Sequence, residues 1–158
     1  MQSRTPGSAC EETIAPRRYV VDASVAVKWY VPEPDSKTAV AVLEGDSTLF
    51  SPDLLIAELG NTLWKKVRRG ELTAEEAADI AGGIAGTPPV TLRSSAQLLR
   101  AAVELATEYD RTVDDALYLA LAVAEDTTLV TADDRLVNAL RDTPLAPFVR
   151  HLNSATAV

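Results

Sequence analysis

The sequence contains few of the residues that build disulfides, histidine metal sites or membrane spans. Its 158 residues include one cysteine, Cys10, and one histidine, His151. A single cysteine excludes an internal disulfide framework and is typical of a reducing compartment, and a single histidine excludes a site built from several imidazoles. The longest apolar run, residues 116–124, is far shorter than the roughly 20 residues that span a bilayer. No secretory signal is visible, so we expect a cytoplasmic protein without a membrane segment.

Positive charge is also scarce. Fifteen Lys and Arg stand against 23 Asp and Glu, which gives a net charge of −8 and an isoelectric point near 4.6. This balance excludes a protein that binds nucleic acid through a generally basic surface. Hydrophobic residues make up 47% of the chain, enough for a single globular domain of this length.

The chain divides into a short extension and one domain. Residues 1–16 lack hydrophobic periodicity, and we expect a flexible N-terminal extension, with the domain occupying residues 17–158. Strand-like apolar runs occur at residues 18–22, 48–50, 90–92, 127–131 and 147–152. Helical patterns separate these runs and no hairpin signal is present, which favours an α/β fold with a mostly parallel central sheet covered by helices on both faces.

Two helices have clear start signals. Ser51 followed by Pro52 predicts a capping hydroxyl and a proline at the first helical position, for a helix ending near Arg69. Residues 73–76, Thr-Ala-Glu-Glu, predict a capping box on the next helix, which we expect to loosen at the two glycines 82 and 83.

Four acids fall where the predicted fold could bring them together. Asp22 and Asp133 each end a predicted strand, and ligands of open parallel sheets bind beyond the carboxyl ends of the strands. Asp115 lies in the first turn of the most apolar helix, and Glu58 lies early in the helix after Pro52. Only the fold can unite residues so far apart in sequence.

Each acid also has a local alternative role. Asp22 and Asp133 could cap the helices that follow them, and Asp115 comes three residues after Thr112 in a pattern that resembles a capping box. Glu58 could belong to a solvated helix face. Taken together, these local roles do not explain why strand ends and the most apolar helix all carry acids.

A cluster of carboxylates favours one kind of chemistry. Like charges in one crevice repel unless a cation joins them, and oxygen ligands select Mg²⁺ or Mn²⁺ over Zn²⁺. Such ions promote phosphodiester cleavage by activating water. Covalent catalysis by Cys10 or His151 is disfavoured by their positions near the chain termini. No phosphate-binding glycine loop follows the first strand. The sequence after Asp22 also lacks the second aspartate of an aspartyl-phosphate phosphatase.

The same segments resemble a known family. The similarity is to the PIN domain, and it rests on residues 20–29 (VVDASVAVKW), Glu58 with Asn61, residues 112–122 (TVDDALYLALA) and residues 129–133 (LVTAD). It covers about residues 18–151, and the size is similar to that of the stand-alone VapC toxins of VapBC toxin–antitoxin systems.

The resemblance implies a three-layer α/β/α domain that acts as a Mg²⁺- or Mn²⁺-dependent endoribonuclease. It implies that the catalytic and metal-binding acids are Asp22, Glu58, Asp115 and Asp133, supported by Ser24, Asn61 and Thr131. It also implies an RNA substrate, a cognate antitoxin and a homodimer. The alternatives are a PIN nuclease of RNA processing and a catalytically silent interaction module, although all four acid positions are filled.

Two neighbouring acids depart from the family pattern. Asp114 precedes Asp115 where the family commonly has a non-acidic residue, and Asp134 places a second acid directly after Asp133. The pattern favours Asp115 and Asp133, and either neighbour could take part.

Four cations lie close together at the end of the helix that carries Glu58. They are Lys65, Lys66, Arg68 and Arg69. They could bind RNA phosphates near the crevice, or they could simply stabilise the helix C-terminus, where cations are favoured.

Overall fold

The computed structural model of the protein describes residues 17–155, and the predicted extension at residues 1–16 lies outside the described residues. The strands are β1 (Arg17–Val21), β2 (Ser47–Pro52), β3 (Thr91–Arg93), β4 (Thr128–Thr131) and β5 (Val149–His151). The helices are α1 (Ala23–Ala26), α2 (Ser36–Glu44), α3 (Leu54–Arg68), α4 (Ala74–Gly86), α5 (Ser95–Tyr109), α6 (Val113–Ala124), α7 (Asp134–Leu140) and α8 (Leu152–Ala155). Short 3₁₀ turns occupy Val27–Trp29 and Ala146–Phe148.

The five strands form one parallel sheet in the order β3-β2-β1-β4-β5. From β1 the chain adds strands on one side through β2 and β3, and then crosses to the other side for β4 and β5. The strand order therefore reverses between β1 and β4, and a crevice opens at such a point beyond the carboxyl ends of the strands. Residues that directly follow β1 and β4 are placed at this crevice.

The sheet is covered on both faces, because adjacent residues of a buried strand point in opposite directions. Val20 packs on one face with Leu119 of α6, whereas Val21 packs on the other with Leu55 and Leu59 of α3. The predicted layered α/β/α architecture is confirmed. Helix α6 is the most apolar helix, and it buries seven consecutive residues, 116–122.

Two local predictions about helices were wrong. Ser51 and Pro52 belong to β2 instead of starting a helix, and α3 begins after Asp53. The Ser51 hydroxyl is fully buried and donates to the carbonyl of Val21 at 2.9 Å, so it bonds across the sheet rather than capping a helix. Helix α4 has the predicted capping box but does not loosen at its two glycines, because its C-terminal half is anchored by the buried Ile84.

The C-terminal segment also contains more separate elements than the single strand that the sequence predicted. The last predicted strand, residues 147–152, is in fact a 3₁₀ turn, the short strand β5 and the first residue of α8. In residues 17–155, no helix has the length and apolar character that crossing a bilayer requires.

Candidate active site

The crevice between β1 and β4 contains a cleft of about 160 Å³. It is lined by Asp22, Ala23, Ser24, Glu58, Asp115, Tyr118, Leu129, Asp133 and Leu136. The four acids singled out in the sequence thus share one cleft, although they come from four different elements. Two follow strands β1 and β4, and the other two lie on α3 and α6, which pack on opposite faces of the sheet.

Asp22 is held on both of its carboxylate oxygens. Oδ1 accepts from the Ser24 hydroxyl at 2.5 Å and from the backbone N–H of Val25 at 3.2 Å, and Oδ2 accepts from the Thr131 hydroxyl. Asp22 therefore does cap α1, and the same side chain lines the cleft. Burial raises its pKa, although these hydrogen bonds oppose the shift.

The two hydroxyls that hold Asp22 also tie β1 to the end of β4. The Ser24 hydroxyl accepts from the backbone N–H of Ala132 at 2.9 Å, and the Thr131 hydroxyl accepts from that of Asp133 at 3.1 Å. Thr131 is fully buried. Ser24 and Thr131 therefore both contact the Asp22 carboxylate and the chain that leads to Asp133.

Glu58 is half-buried and accepts a hydrogen bond on Oε2 from the Tyr118 hydroxyl. Burial raises the pKa of Glu58, the Tyr118 hydrogen bond opposes this, and the charges of Asp22, Asp114 and Asp115 raise it further. Burial, together with the Glu58 charge, also raises the pKa of the Tyr118 phenol far above its usual value, so the phenol remains a donor.

Sequence reasoning missed Tyr118, although a signal for it existed. It is the only residue with a polar group in the apolar run 116–124, and it lies three residues after Asp115. Positions three apart share a helix face, so Tyr118 is directed to the same cleft as Asp115.

The structure separates Asp115 and Asp133 from their acidic neighbours. Asp115 and Asp133 line the cleft and Asp114 and Asp134 do not, although Asp133 is an exposed residue like these two. Burial raises the pKa of Asp115, and the charge of Asp133 adds to the shift. Asp133 also caps α7, with Oδ1 accepting from the backbone N–H groups of Arg135 at 2.8 Å and Leu136 at 3.3 Å.

Comparison with known proteins identifies the family. The family model for the PIN domain matches residues 19–141. The chain belongs to the PIN-domain family. It is 36% identical over 120 residues to Ribonuclease VapC3 from Pyrobaculum aerophilum, an alignment that covers 75% of this chain and 92% of the relative.

Solved structures share the fold of this PIN domain. VapC20 from Mycobacterium tuberculosis, described as a toxin that cleaves the sarcin-ricin loop, is 18% identical with a TM-score of 0.61, over 77% of this chain and 94% of the other. VapBC2 from Rickettsia felis, solved with a DNA fragment from its promoter, is 17% identical with a TM-score of 0.59, over 85% and 98% of the two chains.

The acids of this PIN domain fit a hard divalent cation by their chemistry. All are oxygen donors of the kind that Mg²⁺ and Mn²⁺ prefer. The pKa values of Asp22, Glu58 and Asp115 are all raised by burial, and a bound cation would relieve the cost of their ionised forms. In residues 17–155 as they stand, no group of three or more Asp, Glu, His or Cys side chains is arranged to hold an ion directly.

Two predicted residues are placed differently from the rest. Asn61 is exposed on α3 and does not line the cleft. Lys66 is only 6% exposed, and its ammonium group pairs with Glu33 at 2.7 Å and Glu71 at 3.0 Å. Of the two alternatives for Lys66, the structure favours a structural role over RNA contact, because the charge of Lys66 is paired inside the protein. Lys65, Arg68 and Arg69 are exposed.

Proposed function

We propose that this PIN domain is a Mg²⁺- or Mn²⁺-dependent endoribonuclease and the toxin of a type II toxin–antitoxin pair. The observation that carries the proposal is the cleft at the strand-order reversal, which four acids from four elements line. The 36% identity to Ribonuclease VapC3 supports RNA as the substrate.

The residues of the cleft would have different roles in such a reaction. Asp22, Asp115, Asp133 and Glu58 would hold the metal, directly or through water. The bound ion supplies Lewis-acid activation of water and neutralises charge that develops on the phosphate. Ser24 and Thr131 keep the Asp22 carboxylate in one orientation by donating to its two oxygens. Leu129 and Leu136 form an apolar part of the wall, which strengthens electrostatic interactions in the cleft by limiting water.

Metal removal tests the proposal. The purified protein is incubated with a broad panel of structured and single-stranded RNAs, in Mg²⁺, in Mn²⁺ or in a chelator. We expect internal cleavage of at least one RNA with either ion, no cleavage in chelator, and full recovery when the ion is returned. Cleavage at an equal rate in chelator would contradict metal dependence, and no cleavage of any RNA would contradict the enzyme function.

Three exposed cations favour contact with the RNA backbone. Lys65, Arg68 and Arg69 extend along α3 from Glu58, and the protein is otherwise strongly acidic. A run of six or more helical residues, at 1.5 Å each, separates them from Glu58 by about 10–17 Å. That distance suits phosphates a few nucleotides from the scissile bond.

A neutralising antitoxin is the partner that best fits a protein of this charge. The net charge of −8 and the acidic cleft favour a partner that presents basic side chains. The similar structure from Rickettsia felis is that of a VapBC pair. We expect a small protein encoded beside this gene to co-purify with the chain and to inhibit its RNA cleavage. A neighbouring protein that neither binds nor inhibits would contradict the toxin assignment and leave the nuclease.

The proposed active unit is a homodimer. Leu99 and Val103 lie one turn apart on α5 and are about half exposed, an apolar surface suited to a second copy. Sedimentation equilibrium should give twice the mass of one chain, and Leu99→Glu should shift the equilibrium toward monomer. A wild-type monomer at micromolar concentration would contradict this.

A further inference from the structure

We propose that Tyr118 is a positioning residue of the cleft, which holds the Glu58 carboxylate in place for the reaction. The proposal rests on the ribonuclease function proposed above and extends it to a residue outside the four acids. It is carried by geometry, namely a buried phenol on α6 that donates to a carboxylate on α3.

The surroundings of Tyr118 do not require a hydroxyl for packing. The side chain is 3% exposed, and its helix is otherwise apolar from residue 116 to residue 124. A phenylalanine would fill the same space, whereas a buried phenol must find a hydrogen-bond partner. The partner here is Oε2 of Glu58, which lies on a different helix and lines the cleft.

The phenol ring is packed against the sheet. Tyr118 belongs to the buried cluster that contains Val20 of β1 and Phe50 of β2, and its hydroxyl donates to Glu58 on α3. The position of the Glu58 carboxylate is therefore tied, through Tyr118, to β1, the strand that presents Asp22.

Glu58 needs such support because its neighbours repel it. Asp22, Asp114 and Asp115 all act on its carboxylate as like charges. A glutamate on a helix surface can rotate about three side-chain bonds, and repulsion favours rotamers that turn toward solvent. The hydrogen bond from Tyr118 opposes that rotation, and it leaves Oε1 available to the cleft.

The test is Tyr118→Phe, with Tyr109→Phe as the matched control. Tyr109 packs in the same apolar cluster but does not line the cleft. For Tyr118→Phe we expect kcat for RNA cleavage to fall about tenfold or more with KM unchanged, since small displacements of reacting groups are costly. The affinity of the protein for Mn²⁺ alone, measured by electron paramagnetic resonance, should fall several-fold. Both values should be unchanged in Tyr109→Phe.

A double-mutant cycle separates positioning from general structure. In a Glu58→Gln background, Tyr118→Phe should cause no further loss of Mn²⁺ affinity, because the phenol acts through Glu58. An equal loss in both backgrounds would overturn the proposal, as would a Tyr118→Phe protein that matches the wild type in kcat and Mn²⁺ affinity. If the wild type cleaves no RNA, the proposed function fails while Mn²⁺ binding still decides the role of Tyr118. A wild type that binds no Mn²⁺ overturns both.

Discussion

Replacing Glu33 should destabilise the protein more than its position in a surface loop indicates. Its carboxylate joins two lysines, with Lys66 at 2.7 Å and Lys28 at 3.1 Å. Lys28 lies in the 3₁₀ turn after α1 and Lys66 near the end of α3, so Glu33 connects the segments that present Asp22 and Glu58. Glu33→Gln preserves the shape of the side chain but removes the charge that both ammonium groups face.

The size of the effect follows from burial. Breaking a buried ion pair leaves an uncompensated charge and costs about 3–5 kcal/mol. Glu33 is 23% exposed and Lys66 keeps its contact with Glu71, so the expected cost falls below that range. We expect a loss of about 2 kcal/mol in the free energy of unfolding, or roughly 4–8 °C in the melting temperature of a domain of this size.

The effect should also depend on pH. Burial raises the pKa of Glu33, but hydrogen bonds from Lys66 and Lys28 outweigh it and hold the pKa below its usual value. Because the pKa of Glu33 is lower in the folded state, its ion pairs stabilise the protein fully above the unfolded-state pKa of 4.5. This stabilisation is lost as the pH falls through the folded-state pKa of Glu33. The difference between wild type and Glu33→Gln should therefore shrink in acid.

Urea denaturation at pH 7 and at pH 3 measures both effects. The matched control is Glu104→Gln, which breaks an ion pair with Arg100 whose side chains are 66% and 92% exposed. Exposed pairs contribute about 0–1 kcal/mol, so this variant should unfold nearly as the wild type does. Equal midpoints for Glu33→Gln and Glu104→Gln at pH 7 would refute the reasoning.

Two further predictions concern the cleft and the exposed cations. Asp22→Asn should raise the melting temperature without metal, because burial raises the pKa of Asp22 and its ionised form therefore opposes folding at pH 7. Mg²⁺ should then stabilise the variant less than the wild type in a thermal shift assay, and an identical Mg²⁺ shift in both would count against a metal role for Asp22. Lys65→Ala should weaken RNA binding and flatten its salt dependence by about 0.7 in log–log slope, the value for one phosphate contact with single-stranded RNA. The exposed Lys37 on α2 provides the control, and equal slopes for Lys65→Ala and Lys37→Ala would contradict the contact.

The regular elements were predictable because their signals are local. Alternating apolar runs and helical patterns indicated a parallel sheet with helices on both faces, and Thr73 with Glu76 identified the start of α4. The acids could be grouped in advance because strand ends of a parallel sheet share one edge. Their choice over Asp114 and Asp134 came from the family resemblance, not from the chemistry of the residues.

The remaining features depend on contacts between distant parts of the chain. Ser51 follows a local rule for helix caps, but a hydrogen bond to the neighbouring strand keeps it in β2. Lys66 lies in a basic run, yet its main partner is 33 residues earlier in the sequence. From the sequence alone, Tyr118 is interpreted as a core residue. Only the fold brings its hydroxyl to Glu58, which lies 60 residues earlier in the chain. No periodicity or capping rule reports such pairings.

The most direct test of the account compares Asp22→Asn with Glu104→Gln in one RNA cleavage assay across a Mn²⁺ titration. Both variants remove one carboxylate charge, but only Asp22 lines the cleft. The account predicts that Glu104→Gln cleaves at the wild-type rate, and that Asp22→Asn stays folded and cleaves no RNA at any Mn²⁺ concentration. A folded Asp22→Asn protein that retains wild-type cleavage would contradict it.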